Sequence, residues 1–190
     1  ASGPDHTPVA PGEPRVFGEQ FGPARASRAM AIVHIAIFDA VNAIAGGYKS
    51  YTGIGAAPSK TSMDAAVAQA AHDTLVALYS AQTAAFDGFL ADDLKRIANG
   101  QAKTNGIAVG GSAATAILAR RAADGWQPGE LAYYNPTMHG LNDPLVYYPD
   151  PAPGKWRIDP ISGIPVAVGA YWSEVLPFVV QSAEQFPIPL

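Results

Sequence analysis

The sequence predicts an all-α fold, a helical bundle of about four main helices with a long Pro/aromatic-rich C-terminal loop region. Three observations predict it. Proline, which breaks helix interiors, is confined to the ends. Five of the seventeen prolines lie in residues 1–23, Pro58 alone falls between residues 24 and 127, and eleven lie from Pro128 to Pro189. Alanine, the best helix former, concentrates in the proline-poor middle. Finally, no strand-like alternation runs longer than a few residues. The organisation that follows is an extended N-terminal segment (1–23), a helical bundle (24–125), and a long loop with a short helix (126–190) that packs on the bundle as part of the same domain.

Four segments read as helices. The first runs from Pro23 to Ala45. Pro23 suits a first helical turn and Gly46-Gly47 suits a stop. Met30, Val33, Ile37, Val41 and Ile44 form one stripe, and Ile32, Ile35, Ala36, Ala40 and Ala43 another, so this helix is expected to be buried nearly all round. The second runs from about Ser62 to Tyr79, with Thr61 or Ser62 as N-cap, Asp64 in the first turn, and a stripe of Met63, Val67, Ala71, Leu75 and Leu78. The third spans about Ala81 to Ala98, with Phe86, Leu90, Leu94 and Ile97 in line, and Asn99-Gly100 ending it. The fourth spans about Thr104 to Ala123, with Ile107, Gly110, Ala114, Ile117 and Leu118 on one side. Short connections favour antiparallel neighbours. A further short helix is expected near Ser173 to Gln181, confined by Pro177.

Composition excludes several functions. A chain of 190 residues can bury roughly 70% of its unfolded surface without staples. The lack of cysteine removes disulfides, thiolate metal sites and a cysteine nucleophile. A net charge of −4 without a basic stripe argues against nucleic acid. No membrane span is expected, because His34 interrupts the most apolar run, Ala29 to Phe38, and a span needs ~20 apolar residues. The start, Ala1-Ser2-Gly3-Pro4-Asp5, suits a mature N-terminus left by signal peptidase and points to export, periplasmic or extracellular. Charged residues make up only 15% of the chain, against a usual ~25%, so much of the surface is expected to be covered, by loops, a second subunit or another part of the same protein.

Polar residues on apolar helices are the candidates for chemistry. His34, Asp39, Asn42 and His72 read chiefly as a structural hydrogen-bond network, with a metal or acid–base cluster as the sharper alternative. His34 and Asp39 lie about 140° apart on a helix and do not converge on one ion. Ser27-Arg28 followed after five intervening residues by His34 matches a pattern in which arginine grips a phosphate-like anion and histidine acts on its central atom. Arg28 and His34 are the weak catalytic candidates, and the plainer reading is an exposed arginine and a core histidine. Gly106 to Ser112 is glycine-rich but lacks the Lys-Ser/Thr ending of a phosphate loop, and its small residues suit close helix approach. Asp143, Asp150 and Asp159 are scattered acids whose spacing singles out no calcium site. No Gly-x-Ser-x-Gly nucleophile signature occurs.

The stretch Gly22-Pro23-Ala-Arg25-Ala-Ser-Arg28-Ala-Met-Ala-Ile-Val-His34-Ile-Ala-Ile-Phe-Asp39-Ala-Val-Asn42 resembles the opening helix of bacterial vanadium-dependent haloperoxidase-like proteins of the type 2 phosphatidic-acid phosphatase superfamily. Ala65 to Leu78 with Ala71-His72, Gly106-Ile-Ala-Val-Gly110, Asp124-Gly125, Pro153-Gly154-Lys155-Trp156, Leu176-Pro177-Phe178 and Gln185-Phe186 follow in the same order, so the resemblance covers about residues 15–188. It implies that this chain is the N-terminal half of such a helical enzyme. In that family the C-terminal half holds the anion, with a lysine and an arginine before a proline, then Pro-Ser-Gly-His, then Ser-Arg-x5-His. The first two motifs are absent here, and Ser27-Arg28…His34 falls in the opening helix, out of place. The resemblance therefore carries no catalytic residue onto this chain and implies vanadate bound in a partner portion, either the C-terminal half of the same protein or a second chain. The implied activity is peroxide-driven halide oxidation. The alternatives are an acid phosphatase of the same superfamily and a non-catalytic helical binding or structural subunit.

Overall fold

The computed structural model describes residues 20, 23–126, 152–155, 157, 160–161, 172, 175–182 and 185–186. The chain divides into two compact units, Ala1–Ala122 and Ala123–Leu190. The described residues are helical or irregular, with no strand among them. The first unit contains α1 (Pro23–Ala45), α2 (Met63–Leu78), a single 3-10 turn (Ser80–Gln82), α3 (Thr83–Lys95) and α4 (Gln101–Arg121).

Local chemistry sets the boundaries. The α1 helix stops where Gly46 and Gly47 adopt φ of 69° and 96°, the left-handed region open to glycine. Ser62 caps α2 by accepting from the Ala65 N–H at 3.3 Å. Close to that cap, Lys103 in the first turn of α4 donates to the Leu94 carbonyl at 2.6 Å and closes the C-terminus of α3, where a cation also suits the helix dipole.

Hydrogen bonds between helix ends fix the topology. Gln20, just before α1, donates to the carbonyl of Leu78 at the end of α2. Arg28, early in α1, donates to the carbonyl of Arg121 at the end of α4. The Ser62 N–H donates to the Ala102 carbonyl at 2.9 Å, joining the starts of α2 and α4. Thus α1 runs antiparallel to α2 and α4, whereas α2 and α4 are parallel. The latter pair forms the most extensive interface of the unit, and α3 lies against α2 as the return path between them.

The core is made of small side chains. Ala29, Ile32, Ala36 and Ala40 of α1, Ala65, Ala66 and Ala70 of α2, and Ala113, Ala114 and Ile117 of α4 are buried. Gly106 and Gly110 allow the closest approach. A Cβ at Gly106 would overlap the Ser62 carbonyl oxygen and sit 2.8 Å from Ala65 Cβ, and one at Gly110 would overlap the Ala66 carbonyl oxygen and sit 2.8 Å from Gln69 Cβ.

This arrangement corrects the expected stripes. Met30 of α1 is 63% exposed and Phe38 40% exposed, so α1 is not buried all round. In α2 Met63 is exposed, while Ala65, Ala66, Ala70, Thr74 and Leu78 are buried. The large residues are displaced to the margins because the helices meet too closely for them. Every residue of α3 is exposed or half-buried.

Among the described residues α1, over 23 residues, is long and apolar enough to cross a membrane by length and composition alone. Here α1 packs against α2 and α4, and no second described helix has this property.

Of the second unit, Pro153-Gly154 forms a turn with Gly154 at φ 77°, closed by the Lys155 N–H on the Ala152 carbonyl at 3.2 Å. Val175 is buried, and the Leu176 N–H donates to the Asp124 carbonyl at 2.8 Å. The helix expected over Ser173 to Gln181 is not formed across residues 175–181, which are bends and irregular chain. Pro177 removes a backbone donor and disfavours helical geometry at Leu176. Tyr133, Tyr134, Tyr147, Tyr148 and Trp156 lie outside the described residues.

Candidate functional site

The four polar residues singled out on the helices do not meet at one place. Asp39 and Asn42 share a face of α1 and hold the loop that follows it. Asp39 is fully buried, and its carboxylate accepts from Ser50 Oγ (2.9 Å), the Tyr51 N–H (2.7 Å), the Thr52 N–H (2.8 Å) and Thr52 Oγ1 (2.5 Å). Four donors around one carboxylate match its lone-pair capacity. Asn42 donates from Nδ2 to the Tyr48 carbonyl at 2.9 Å and accepts from the Tyr48 N–H at 3.0 Å, as a backbone partner would. The loop then reaches α4, where Arg120 stacks over the Tyr51 ring, 4.9 Å from its centroid. Asp39 is thus already saturated, and its chemistry is that of a fastener.

His72 sits on α2 between two carboxylates. Its Nδ1 lies 2.7 Å from Asp73 Oδ1 and its Nε2 lies 2.8 Å from Asp87 Oδ1 of α3. Gln69 Nε2 donates to the same Asp73 oxygen at 2.7 Å, orienting it. Burial pulls the His72 pKa down. The hydrogen bonds to Asp73 and Asp87, together with the two negative charges, outweigh burial and hold the pKa above its ordinary value. Asp73 and Asp87 escaped the sequence reading. The adjacency of His72 and Asp73 was a usable signal, whereas Asp87 is found only once α3 is known to return along α2.

His34 is exposed on α1 and takes no part in either cluster. Arg28 is buried and donates to the Arg121 carbonyl at 2.9 Å, and Ser27 Oγ, on the surface, donates to the Pro23 carbonyl at 2.7 Å. The Arg28 and His34 positions are about 120° apart around the helix and about 9 Å apart along it. These residues do not fit vanadate or another tetrahedral oxyanion, because a guanidinium turned into the helix bundle and an imidazole on the outside share no pocket. Gly106 to Ser112 lies within α4 and presents no phosphate-binding loop. Among the described residues no group of three or more His, Asp or Glu side chains could hold a metal ion. Asp143, Asp150 and Asp159 lie outside them.

Compared with protein-family models, curated proteins and solved structures, the chain matches none of them.

Proposed function

We propose that this chain is the N-terminal helical portion of a vanadium-dependent haloperoxidase-like enzyme, a scaffold whose oxyanion pocket is supplied by a partner portion. The observation that carries the reading is the order of the motifs from Gly22 to Phe186. Several of them coincide with fixed points of the fold. Asp39 and Asn42 fasten the loop after α1, Gly106 and Gly110 seat α4 on α2, and Asp124 receives Leu176.

The partner portion would be the C-terminal half of the same protein or a second chain. With vanadate bound, it would activate peroxide for halide oxidation, and the same pocket class would hydrolyse phosphate monoesters. The test uses protein isolated from its source through a tag on this chain. Intact mass and gel analysis look for further polypeptide, and the sample is assayed for bromide and chloride oxidation by peroxide with and without orthovanadate, and for phosphate-ester hydrolysis. Vanadate-dependent halide oxidation in a sample containing further polypeptide is the expected result. Phosphatase activity alone selects the acid phosphatase. A sample of this chain alone, inert in both assays, would overturn the proposal and leave a non-catalytic helical subunit.

A further inference from the structure

The least buried helix of the bundle is joined to its neighbour by a histidine whose two ring nitrogens both face carboxylates. The α3 helix has no buried residue, and its Phe89 is 66% exposed. Beyond the chain connections at its ends, Phe86, Leu90 and Leu94 are half-buried, Lys103 closes its last turn, and Asp87 meets His72. Elements with so little buried apolar surface open first.

We propose that His72 is a pH-operated latch that holds α3 against α2 when doubly protonated and releases α3 at Asp87 when it loses a proton. Only the imidazolium carries an N–H on both ring nitrogens, so only that form donates to Asp73 and Asp87 at once. A neutral ring keeps one proton and turns a lone pair towards the other carboxylate. The bond that survives is the one to Asp73. That acid is the next residue on the same helix and is oriented by Gln69, so it stays beside the ring. Asp87 has a side chain 59% exposed, against 15% for His72, and has water to turn to.

The charged groups acting on His72 are Asp73 of its own helix and Asp87 of α3, and no other described group from α1, α4 or the 3-10 turn contributes. On the side facing α4, the neighbour of Asp73 is Gly111, which carries no charge. The His72 pKa is raised in the docked state, so the latch is fully present below the ordinary value of 6.5. It is lost as pH rises through the higher docked value.

The test is peptide-resolved hydrogen exchange on the full 190-residue chain between pH 5.5 and 8.5, corrected for the intrinsic exchange rate, with α4 as internal reference. An NMR titration of the histidine ring protons accompanies it. Protection of α3 relative to α4 should fall with rising pH, about tenfold for each unit by which the docked pKa exceeds the open one, with its midpoint tracking His72. Asp87→Asn, at an exposed position, should lower the His72 pKa and flatten the α3 profile. Protection of α3 that is independent of pH while His72 titrates would overturn the proposal. So would an unchanged His72 pKa in Asp87→Asn, or parallel loss of protection in α3 and α4.

Discussion

Replacing Gly110 by alanine should destabilise this protein although alanine is the better helix former. The added methyl group would overlap the Ala66 carbonyl oxygen and stand 2.8 Å from Gln69 Cβ and 2.9 Å from the Ala70 nitrogen. Two of these three neighbours are backbone atoms of α2, which no rotamer change can move. Relief requires α2 and α4 to separate, and that loosens the alanine contacts along the whole interface. Overpacking of this kind costs about 3 kcal/mol at the upper end of the usual range, and the gain in helix propensity returns about 1 kcal/mol. The net loss is then about 2 kcal/mol, and at about 2–4 °C per kcal/mol the melting temperature falls by about 4–8 °C. Gly88→Ala in α3 is the control, because a Cβ there meets nothing within 4 Å. The same chemical change should stabilise at that position by up to about 1 kcal/mol. Thermal unfolding followed by circular dichroism measures both. A Gly110→Ala protein that melts at or above the parent temperature would refute the close parallel packing of α2 and α4.

Asp39→Ala should leave the half-buried donors of residues 50–52 without their acceptor, and at about 1 kcal/mol for each bond lost where water can partly replace it the urea midpoint should drop. The same variant should show faster limited proteolysis between Gly46 and Gly53, and equal cleavage rates would show that Asp39 does not fasten the loop. Ser62→Ala removes the acceptor for the Ala65 N–H and should cost about 1 kcal/mol by chemical denaturation. The chain alone should bind vanadate or phosphate no more tightly than about millimolar, a weak −4 kcal/mol or so. A tight one-to-one complex by calorimetry, lost in both Arg28→Ala and His34→Ala, would restore the Ser-Arg-x5-His pattern as a site.

Helix existence was legible because alanine enrichment and proline exclusion act locally. Pro23 and Gly46 bracket α1 where the sequence places its limits. The buried faces were less legible. Hydropathy favours Met30, Ile37 and Met63 over Ala29, Ala36 and Ala66, yet the alanines are buried, because glycine at 106 and 110 sets an interhelical distance that larger side chains cannot enter. The parallel pairing of α2 and α4 was likewise hidden, since short connections argue only for sequential neighbours. At the candidate sites, the shared face of Asp39 and Asn42 followed from helical spacing. Their partners at Ser50, Tyr51, Thr52 and Tyr48 depend on loop geometry that no period encodes. His34 was grouped with them as a polar residue in an apolar run, but it lies on the outside of α1.

Parallel neighbours also impose a travel requirement on the chain. Having climbed α2, the backbone must come back to its starting level before it can climb beside it as α4. Sixteen residues of helix rise about 24 Å, a gap that about eight fully extended residues would bridge. The protein instead uses the stretch from Tyr79 to Gly100, most of it wound into α3. Closing a flexible loop in its place would grow more costly only slowly with length, about 0.6 kcal/mol for each doubling. The third helix is therefore a route more than a wall: apart from Asp87 opposite His72, its length and composition are free to vary as long as it delivers Gly106 and Gly110 to the level of Ala66 and Ala70.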